Sequence, residues 1–288
     1  MITLENEYVK VGLLAKGAEL QGLYSKETNI EYLWNADAKY WGKHSPVLFP
    51  IVGSLKNNSF NYKGKNYELP RHGFARDYVF DLEHSAETEA VFTLTQNAET
   101  LKVYPFYFEL KLKYTLIDRK LNLTYEVINT GTEELLFSIG AHPAFAVPNT
   151  PNTTYEDYYL AFNSDDRLTY WKLEDGLVAD ETENIDLSSH KLNLKHELFY
   201  NDALVFKTLQ SNCISLLNNK NDYGLHFHFE DFPFFGVWAA IDAPFVCLEP
   251  WCGVADGVNH DQNLERKEGI IKLEAGQSWE RFWEVECF

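Results

Sequence analysis

Short segments in which apolar and polar residues alternate recur along the whole chain, and they constrain the fold more than any other feature. The clearest is FELKLKYTLIDRKLNLTYEVIN, which alternates in two runs joined by a polar turn near Asp118 to Lys120. Successive side chains of a strand point to opposite faces, so this pattern predicts two antiparallel strands. The segment SFNYKGKNYEL, hinged at Lys63-Gly64, predicts a tight hairpin.

Further strand patterns follow, each bounded by Gly, Pro, Asn or Asp. They include AVFTLTQ, CISLLNN, YGLHFHFE, FFGVWAAI, PFVCLEP, IIKLEA and SWERFWEVECF. Helical patterns are short: ETLKVYPF predicts one turn, and SSHKLNLKHELFYND one short helix. Regularly spaced strands with turn signals predict an all-β fold, a large antiparallel sandwich with few short helices.

The chain of 288 residues has a length that all-β sandwiches reach as one unit. Its 20 Phe, 17 Tyr and 7 Trp supply a large core. A polar loop at Pro148 to Tyr155 and an acidic stretch at Glu174 to Asp186 are too short to separate two domains. We therefore expect one domain over residues 1–288.

The formal net charge of -18 opposes binding to nucleic acid or anionic lipid, because both partners are recognised by clusters of Lys and Arg. A neutral small molecule fits this charge best. The start MITLENEYVKVGLL has no signal-peptide pattern, and no apolar run approaches membrane-spanning length, which predicts a cytoplasmic protein. Four cysteines without paired spacing are interpreted as reduced core thiols.

Two histidines are candidates for proton transfer. His72 lies in PRHGFARDY beside a glycine and between Arg71 and Arg76, and His142 lies in SIGAHPAFAVP at the end of an apolar strand. Imidazole moves protons near neutral pH, so either ring is suited to acid–base work if it faces a cleft. The alternatives are a surface histidine on a hairpin exit for His72 and a buried, hydrogen-bonded one for His142.

Glu249 is the most unusual acid of the chain. In FVCLEPWCGVADGVNH it ends a continuous apolar run and is followed by Trp251. A buried carboxylate is costly unless it is paired or functional, and burial raises its pKa toward the range of a general base. Trp251 offers an aromatic face on which a sugar ring can stack, although such a residue is more often part of a core.

His226 and His228 alternate along YGLHFHFE and so share one strand face. Such a pair can supply metal ligands, but no third ligand follows at a diagnostic spacing. We assign them a lining or structural role and expect no metal site.

Three motifs, taken in order, resemble the aldose 1-epimerase (galactose mutarotase) family, in particular its bacterial mutarotase-like branch. They are LFPIVGSLKNNSFNYKGKNYELPRHGFARDY, GAHPAFAVP and VCLEPWCGVADG. The resemblance implies a galactose mutarotase-like supersandwich with an open groove and no cofactor. It also implies interconversion of the α and β anomers of a free sugar. We expect a monomer or a homodimer.

The resemblance also implies roles for individual residues. A glutamate placed like Glu249 removes the proton of the anomeric hydroxyl, and a histidine placed like His142 protonates the ring oxygen. His72 is then the second histidine, bonding to the sugar, and Asp202 in FYNDALVF is similar to an aspartate that holds ring hydroxyls. Asp202 is almost equally well explained as a turn residue before a strand.

One departure is Ser54, which stands where the family often has an arginine; Arg71, Arg76 or Lys56 could replace that donor. The same three cations could bind a phosphate group, so a hexose-6-phosphate 1-epimerase is an alternative function. Ser54 favours another alternative, a sugar-binding or sensing protein without turnover. A glycoside hydrolase ranks third, with Glu249 paired to Asp202 or Asp256.

Overall fold

The computed structural model describes residues 1–288, and its chain is almost entirely strand and loop. The strands of the first half are β1 (Ile2–Glu5), β2 (Val9–Leu14), β3 (Glu19–Ser25), β4 (Ile30–Glu31), β5 (Val47–Leu48), β6 (Ser59–Tyr62), β7 (Lys65–Glu68), β8 (Asp81–Ser85), β9 (Glu89–Thr95), β10 (Phe108–Ile117), β11 (Lys120–Asn129), β12 (Leu135–Phe137), β13 (Ile139–Ala141) and β14 (Ala144–Ala146). Those of the second half are β15 (Tyr158–Phe162), β16 (Arg167–Glu174), β17 (Leu177–Asp186), β18 (Lys191–Asn193), β19 (Leu204–Phe206), β20 (Cys213–Asn218), β21 (Leu225–His228), β22 (Phe234–Trp238), β23 (Phe245–Cys252), β24 (Ile271–Leu273) and β25 (Ser278–Cys287).

Helical segments are few and short. The α-helix α1 covers Thr100–Val103, and 3₁₀ turns cover Lys56–Asn58, Ala75–Asp77, Tyr155–Asp157, His196–Phe199 and Leu264–Arg266. None of these segments is long and apolar enough to cross a membrane. The prediction of an all-β fold with few short helices is confirmed.

Two large antiparallel sheets form the sandwich. One has nine strands in the order β18-β15-β20-β21-β25-β11-β10-β9-β8, and the other has the order β17-β16-β19-β22-β23-β13-β5, with β14 also pairing with β23. Side chains from both sheets meet in one large core, as where Phe227 of β21 lies 6.3 Å from Phe235 of β22, between ring centroids. Smaller sheets, β1-β2-β3-β4, β6-β7 and β12-β24, complete the molecule.

Strand β23 crosses the centre of the second sheet and is buried along all eight residues. Leu248 packs into the main core, whereas Trp251, on the opposite face of the strand, packs into a smaller cluster with Val205 and Val254. One face of this sheet therefore covers the sandwich core, and the other, covered by loops, carries the smaller cluster. Glu249 shares the face of Trp251, because side chains two apart on a strand point the same way.

Two local predictions need correction, and the acidic stretch, for which no element was predicted, is assigned. The helix expected in residues 188–202 is reduced to the turn His196–Phe199, because Leu192 and Leu194 alternate inward as a strand does. The acidic stretch is largely strand β17, where Lys172 of β16 pairs with Glu181 at 2.9 Å. Glu249 lies within β23 rather than at its end, because pairing with β22 continues through Pro250 to Trp251.

Candidate active site

A cavity of about 730 Å³ opens on the loop-covered face of the eight-stranded sheet. Its volume is within the range of small-molecule sites. The seven residues to which the sequence analysis gave catalytic or sugar-binding roles all line it, namely Arg71, His72, Arg76, His142, Asp202, Glu249 and Trp251. The fold thus brings together residues that are far apart in the sequence.

His142 and Glu249 face each other across neighbouring strands. Gly140 of β13 is opposite Trp251, and Ala144 of β14 is opposite Cys247. The same register, continued through the break between β13 and β14, places His142 opposite Glu249. Their side chains meet, with Nε2 of His142 3.2 Å from Oε2 of Glu249. The partner of this buried carboxylate is therefore a histidine rather than a lysine or arginine.

Burial controls the protonation of this pair. It raises the pKa of Glu249 well above its ordinary value, an effect that nearby Asp202 adds to and the cation of Arg71 reduces. Burial also lowers the pKa of His142 to about 3, and the cations of Arg71 and Arg76 act in the same direction. Both shifts have the same origin, since a low-dielectric site disfavours the charged form of either group. Burial thus favours the pair as a protonated carboxyl group and an uncharged imidazole, which have one exchangeable proton between them.

Two tryptophans hold the ring of His142. Trp41 stacks on it with centroids 4.8 Å apart, and Trp238 meets it nearly edge-on at 5.6 Å. Nδ1 of His142 is buried and has no hydrogen-bond partner. Ring orientation is thus set by packing, which leaves Nε2 directed at Glu249.

His72 is held in a different way, by reciprocal bonds to Gly53. The backbone N–H of Gly53 donates to Nδ1 of His72 at 3.1 Å, and the N–H of His72 donates to the carbonyl of Gly53 at 2.8 Å. Burial lowers the pKa of His72 well below its ordinary value, with smaller contributions from His142, Arg71 and Arg76. A neutral ring that accepts at Nδ1 carries its proton on Nε2, so His72 is fixed as a hydrogen-bond donor.

The backbone at His72 requires an unusual conformation. His72 and Gly73 both have positive φ, and a Cβ at Gly73 would lie 2.3 Å from the carbonyl oxygen of Phe49. Only glycine fits that approach, which is the physical reason for the His-Gly sequence noted above.

Charged side chains form one wall of the cavity. Arg71 lies 3.8 Å from Asp202, measured from Nη2 to Oδ1, and Nη2 of Arg76 donates to the carbonyl of Arg71 at 2.8 Å. The Nε of Arg76 is buried without a hydrogen-bond partner, and its nearest carboxylate oxygen is Oδ2 of Asp77 at 3.8 Å. Asp202 has φ of 90° and accepts from the N–H of Ala203 at 2.8 Å, so it is both a turn residue and a cavity residue.

Trp251 is more deeply buried than expected for an aromatic ring on which a sugar stacks. It is 6% exposed and lies over two glycines, since a Cβ at Gly236 or Gly140 would come within 2.6 Å of its ring. Its main contacts are with the smaller apolar cluster beneath the cavity. The more accessible rings are those of Trp41, Trp238 and Tyr200, which also line the cavity.

These three aromatic residues were missed by sequence reasoning, as were Asn201 and Asp175 in the cavity lining. The sequence did contain a signal for Trp238. In FFGVWAAI it lies two residues after Gly236 and so on the same face of β22, the strand that pairs with β23. Trp41 and Tyr200 lie in loops, where no periodicity indicates which way a side chain points.

Several other candidates lie outside the cavity lining. The fully buried carboxylate of Asp256 is paired with Lys267 at 2.8 Å, so it cannot serve as the second carboxylate of a hydrolase. Ser54 and Lys56 do not line the cavity either, although Ser54 lies beside Gly176 near Arg71. His226, bound to Ser215 at 2.7 Å, and His228 are on β21 of the nine-stranded sheet, away from the site.

Comparisons with known proteins agree with this arrangement. The sequence model of the family "Aldose 1-epimerase" matches residues 1–285. Two LacX proteins of Lactococcus lactis, one plasmid-borne and one chromosomal, are 36% identical over 282 residues, covering 94% of each chain.

Solved structures give the same picture. A galactose mutarotase related enzyme from Lactobacillus acidophilus has a TM-score of 0.95 at 35% identity, covering 100% of this chain and 97% of the other. A galactose mutarotase-like protein from Lactobacillus casei has a TM-score of 0.93 at 32% identity, with full coverage of both chains.

Proposed function

The chain belongs to the aldose 1-epimerase family, and we propose that it interconverts the α and β anomers of a free hexose by general acid–base ring opening. The observation that carries the proposal is the contact of 3.2 Å between Glu249 and His142 at a ligand-sized cavity. A proton donor and a proton acceptor side by side are what the reaction requires.

The chemistry explains why the two groups are adjacent. Opening a cyclic sugar removes a proton from the anomeric hydroxyl and adds one to the ring oxygen, and both oxygens are attached to the same carbon. Glu249 as carboxylate takes the first proton, and His142 as imidazolium gives the second from Nε2. The open aldehyde rotates about its bond to C2, and the reverse transfers close the ring on the other face.

The single proton of the pair accounts for both transfers. Burial favours the neutral form of each partner, so the proton rests on the carboxyl group of Glu249. Moving it to His142 creates the base and the acid in one step, without net charge in the buried site. After ring opening the pair has returned to carboxyl and neutral imidazole, which is the form needed for ring closure.

Other cavity residues have supporting roles in this proposal. His72 donates from Nε2 to a sugar oxygen and stabilises negative charge that develops there. Arg71, Arg76 and Asp202 bind ring hydroxyls. Trp251 forms the floor of the site, and the more accessible rings of Trp41 and Trp238 give the sugar its apolar contact.

A hexose-6-phosphate 1-epimerase is the second candidate. Arg71 and Arg76 share one wall, and the Nε of Arg76 has no hydrogen-bond partner, although the carboxylate of Asp77 lies 3.8 Å from it. Guanidinium groups bind phosphate by paired hydrogen bonds, which favours a phosphorylated sugar. Against it stand Asp175 and Asp202 in the same cavity, and Lys56, which does not line it.

A sugar-binding protein without turnover is the third candidate, and Ser54 in place of an arginine is its support. A hydrolase is disfavoured, because His72 and His142 then have no task. We further propose a single domain over residues 1–288 that acts in the cytoplasm on a small-molecule sugar, as monomer or homodimer. The steps are proton transfers, so no cofactor is assigned.

Polarimetry distinguishes these candidates. Freshly dissolved α-D-glucose and α-D-galactose are followed with and without protein, and glucose 6-phosphate is tested in a coupled assay. Acceleration with free sugars is the expected result. Acceleration with the phosphate alone would transfer the assignment to the second candidate, and binding without acceleration to the third.

A further inference from the structure

A thiol lies directly behind the acid–base pair. Cys247 and Glu249 are two residues apart on β23 and so share a face, and Cys247 is fully buried. The position opposite Cys247 on β14 is Ala144. Its small side chain leaves space between Cys247 and its diagonal neighbour across the strands, His142. As a result the Sγ of Cys247, a ring nitrogen of His142 and a carboxylate oxygen of Glu249 all lie within 4.8 Å of one another.

We propose that these three side chains form a binding site for zinc-class divalent cations, and that an ion bound there inhibits the enzyme. Thiolate, imidazole and carboxylate are the ligands that zinc takes in tetrahedral sites, so binding of the ion releases the proton of the Glu249 carboxyl group and that of the Cys247 thiol to solvent. The ion is an inhibitor and not a cofactor, because it occupies the two groups that the reaction needs. The inhibitory effect rests on the proposed function, whereas binding of the ion does not.

The geometry is close to what zinc requires. Nitrogen and oxygen ligands at about 2.0–2.2 Å from a tetrahedral ion are roughly 3.4 Å apart. The observed separation of Nε2 and Oε2 is 3.2 Å, so His142 and Glu249 are already positioned as two ligands. The Sγ of Cys247 lies within 4.8 Å of both ligand atoms, so it has further to move than they have to reach the Zn–S distance of about 2.3 Å.

An ion can reach the site and complete its coordination from the cavity. His142 and Glu249 line the cavity although Cys247 does not, so the ion approaches from the solvent side and meets the thiol last. The fourth position faces the cavity and takes water. The cations of Arg71 and Arg76 weaken binding, and the carboxylates of Asp175 and Asp202 on the same walls oppose that effect.

Sequence reasoning missed this site because its ligands have no metal-binding spacing. His142 is more than a hundred residues from Cys247, and only the pairing of β14 with β23 brings them together. The two histidines considered as metal ligands from the sequence, His226 and His228, lie on the nine-stranded sheet, away from this site.

The test uses Co²⁺ as a spectroscopic substitute for zinc. Titration of the full chain with Co²⁺ under reducing conditions is expected to give a near-ultraviolet sulfur-to-cobalt charge-transfer band, which Zn²⁺ abolishes by displacement. Cys247→Ala should lose this band. Cys213→Ala, which removes a partly exposed thiol next to His228, is the matched control and should retain it.

Activity gives the second measurement. Cys247→Ala is expected to keep mutarotation and to require at least about tenfold more Zn²⁺ for half-inhibition, since even outer partners of a metal site change affinity by 10- to 100-fold. A wild-type protein without the cobalt band, or equal zinc sensitivity in Cys247→Ala, would overturn the proposal. Because the band needs no turnover, a protein that binds Co²⁺ but does not mutarotate would refute the proposed function alone.

Discussion

The properties of His142 come from its surroundings more than from its own chemistry. It is packed between Trp41 and Trp238, and its Nε2 faces Glu249. A free imidazole titrates near pH 6.5, but burial moves the pKa of this ring to about 3. In the proposed mechanism the carboxyl group of Glu249, whose pKa burial raises, supplies the proton that an acid catalyst needs.

Replacing His142 by alanine removes the proposed acid. We expect the mutarotation rate to fall by about 10²-fold or more, which is the usual contribution of a positioned acid or base. His226→Ala, a histidine outside the cavity, is the matched control and should leave the rate unchanged. An unchanged rate in His142→Ala would remove this residue from the mechanism.

The pH dependence follows from the directions of the two pKa shifts. Because burial lowers the pKa of His142 to about 3 and raises that of Glu249, neither group titrates at its ordinary pKa. The ratio kcat/KM, corrected for spontaneous mutarotation, should therefore show no inflection at the ordinary pKa of a glutamate or a histidine. It should fall at higher pH, where the pair loses its proton. An inflection near pH 6.5 would show that a solvated histidine controls the reaction.

At the scale of elements, the sequence predicts strands well where one face is buried and the other is exposed to solvent. Strands β10 and β11 alternate over ten residues each, and their period of two requires no knowledge of the rest of the chain. The relation of His142 to Glu249 could not be obtained in that way. It depends on β13 and β14 both pairing with β23, a non-local register that no local pattern contains.

The same limit applies to loops around the cavity. Gly53 fixes the proton of His72 through a hydrogen bond that joins two loop segments, and Trp41 reaches His142 from a third. The sequence identified the histidines from their chemistry, but not the groups that orient them. Such contacts arise only after the sheets are assembled.

A buried ion pair anchors these loops behind the site. Asp256 accepts from Lys267 at 2.8 Å and from the N–H of Lys56 at 2.9 Å, and its own N–H donates to the carbonyl of Ser54 at 2.9 Å. Ser54 follows Gly53, the residue that holds His72. The carboxylate of Asp256 therefore ties the 254–267 segment to the loop that positions His72.

Removing the lysine of this pair should destabilise the fold. Lys267→Met leaves the fully buried carboxylate of Asp256 with the N–H of Lys56 and the ring of His260 but no lysine or arginine partner, and breaking a buried pair costs about 3–5 kcal/mol. Urea unfolding measures the change in free energy of unfolding, with the exposed Lys272→Met as the matched control, for which less than about 0.5 kcal/mol is expected. A loss below about 1 kcal/mol in Lys267→Met would show that the pair is not a structural anchor.

For the whole molecule, the acidic charge and the architecture are consistent with a neutral ligand. One face of the eight-stranded sheet is buried in the main core, and loops cover the other face. Glu249 therefore lies on a strand of this sheet, and His142 lies between two of its strands. A site built on central strands keeps the acid and the base in fixed positions, which acid–base catalysis requires. Oligomeric state and the extent of the domain stay predictions.

The central claim is that Glu249 and His142 together anomerise a free sugar, and Glu249→Gln tests it most directly. The change keeps the shape of the side chain and removes its ability to exchange a proton. Polarimetry of α-D-glucose or α-D-galactose should show a rate at least about 10²-fold below that of the wild-type protein, while calorimetric titration shows largely unchanged sugar affinity. A variant that binds the sugar and retains a near-normal rate would contradict the account.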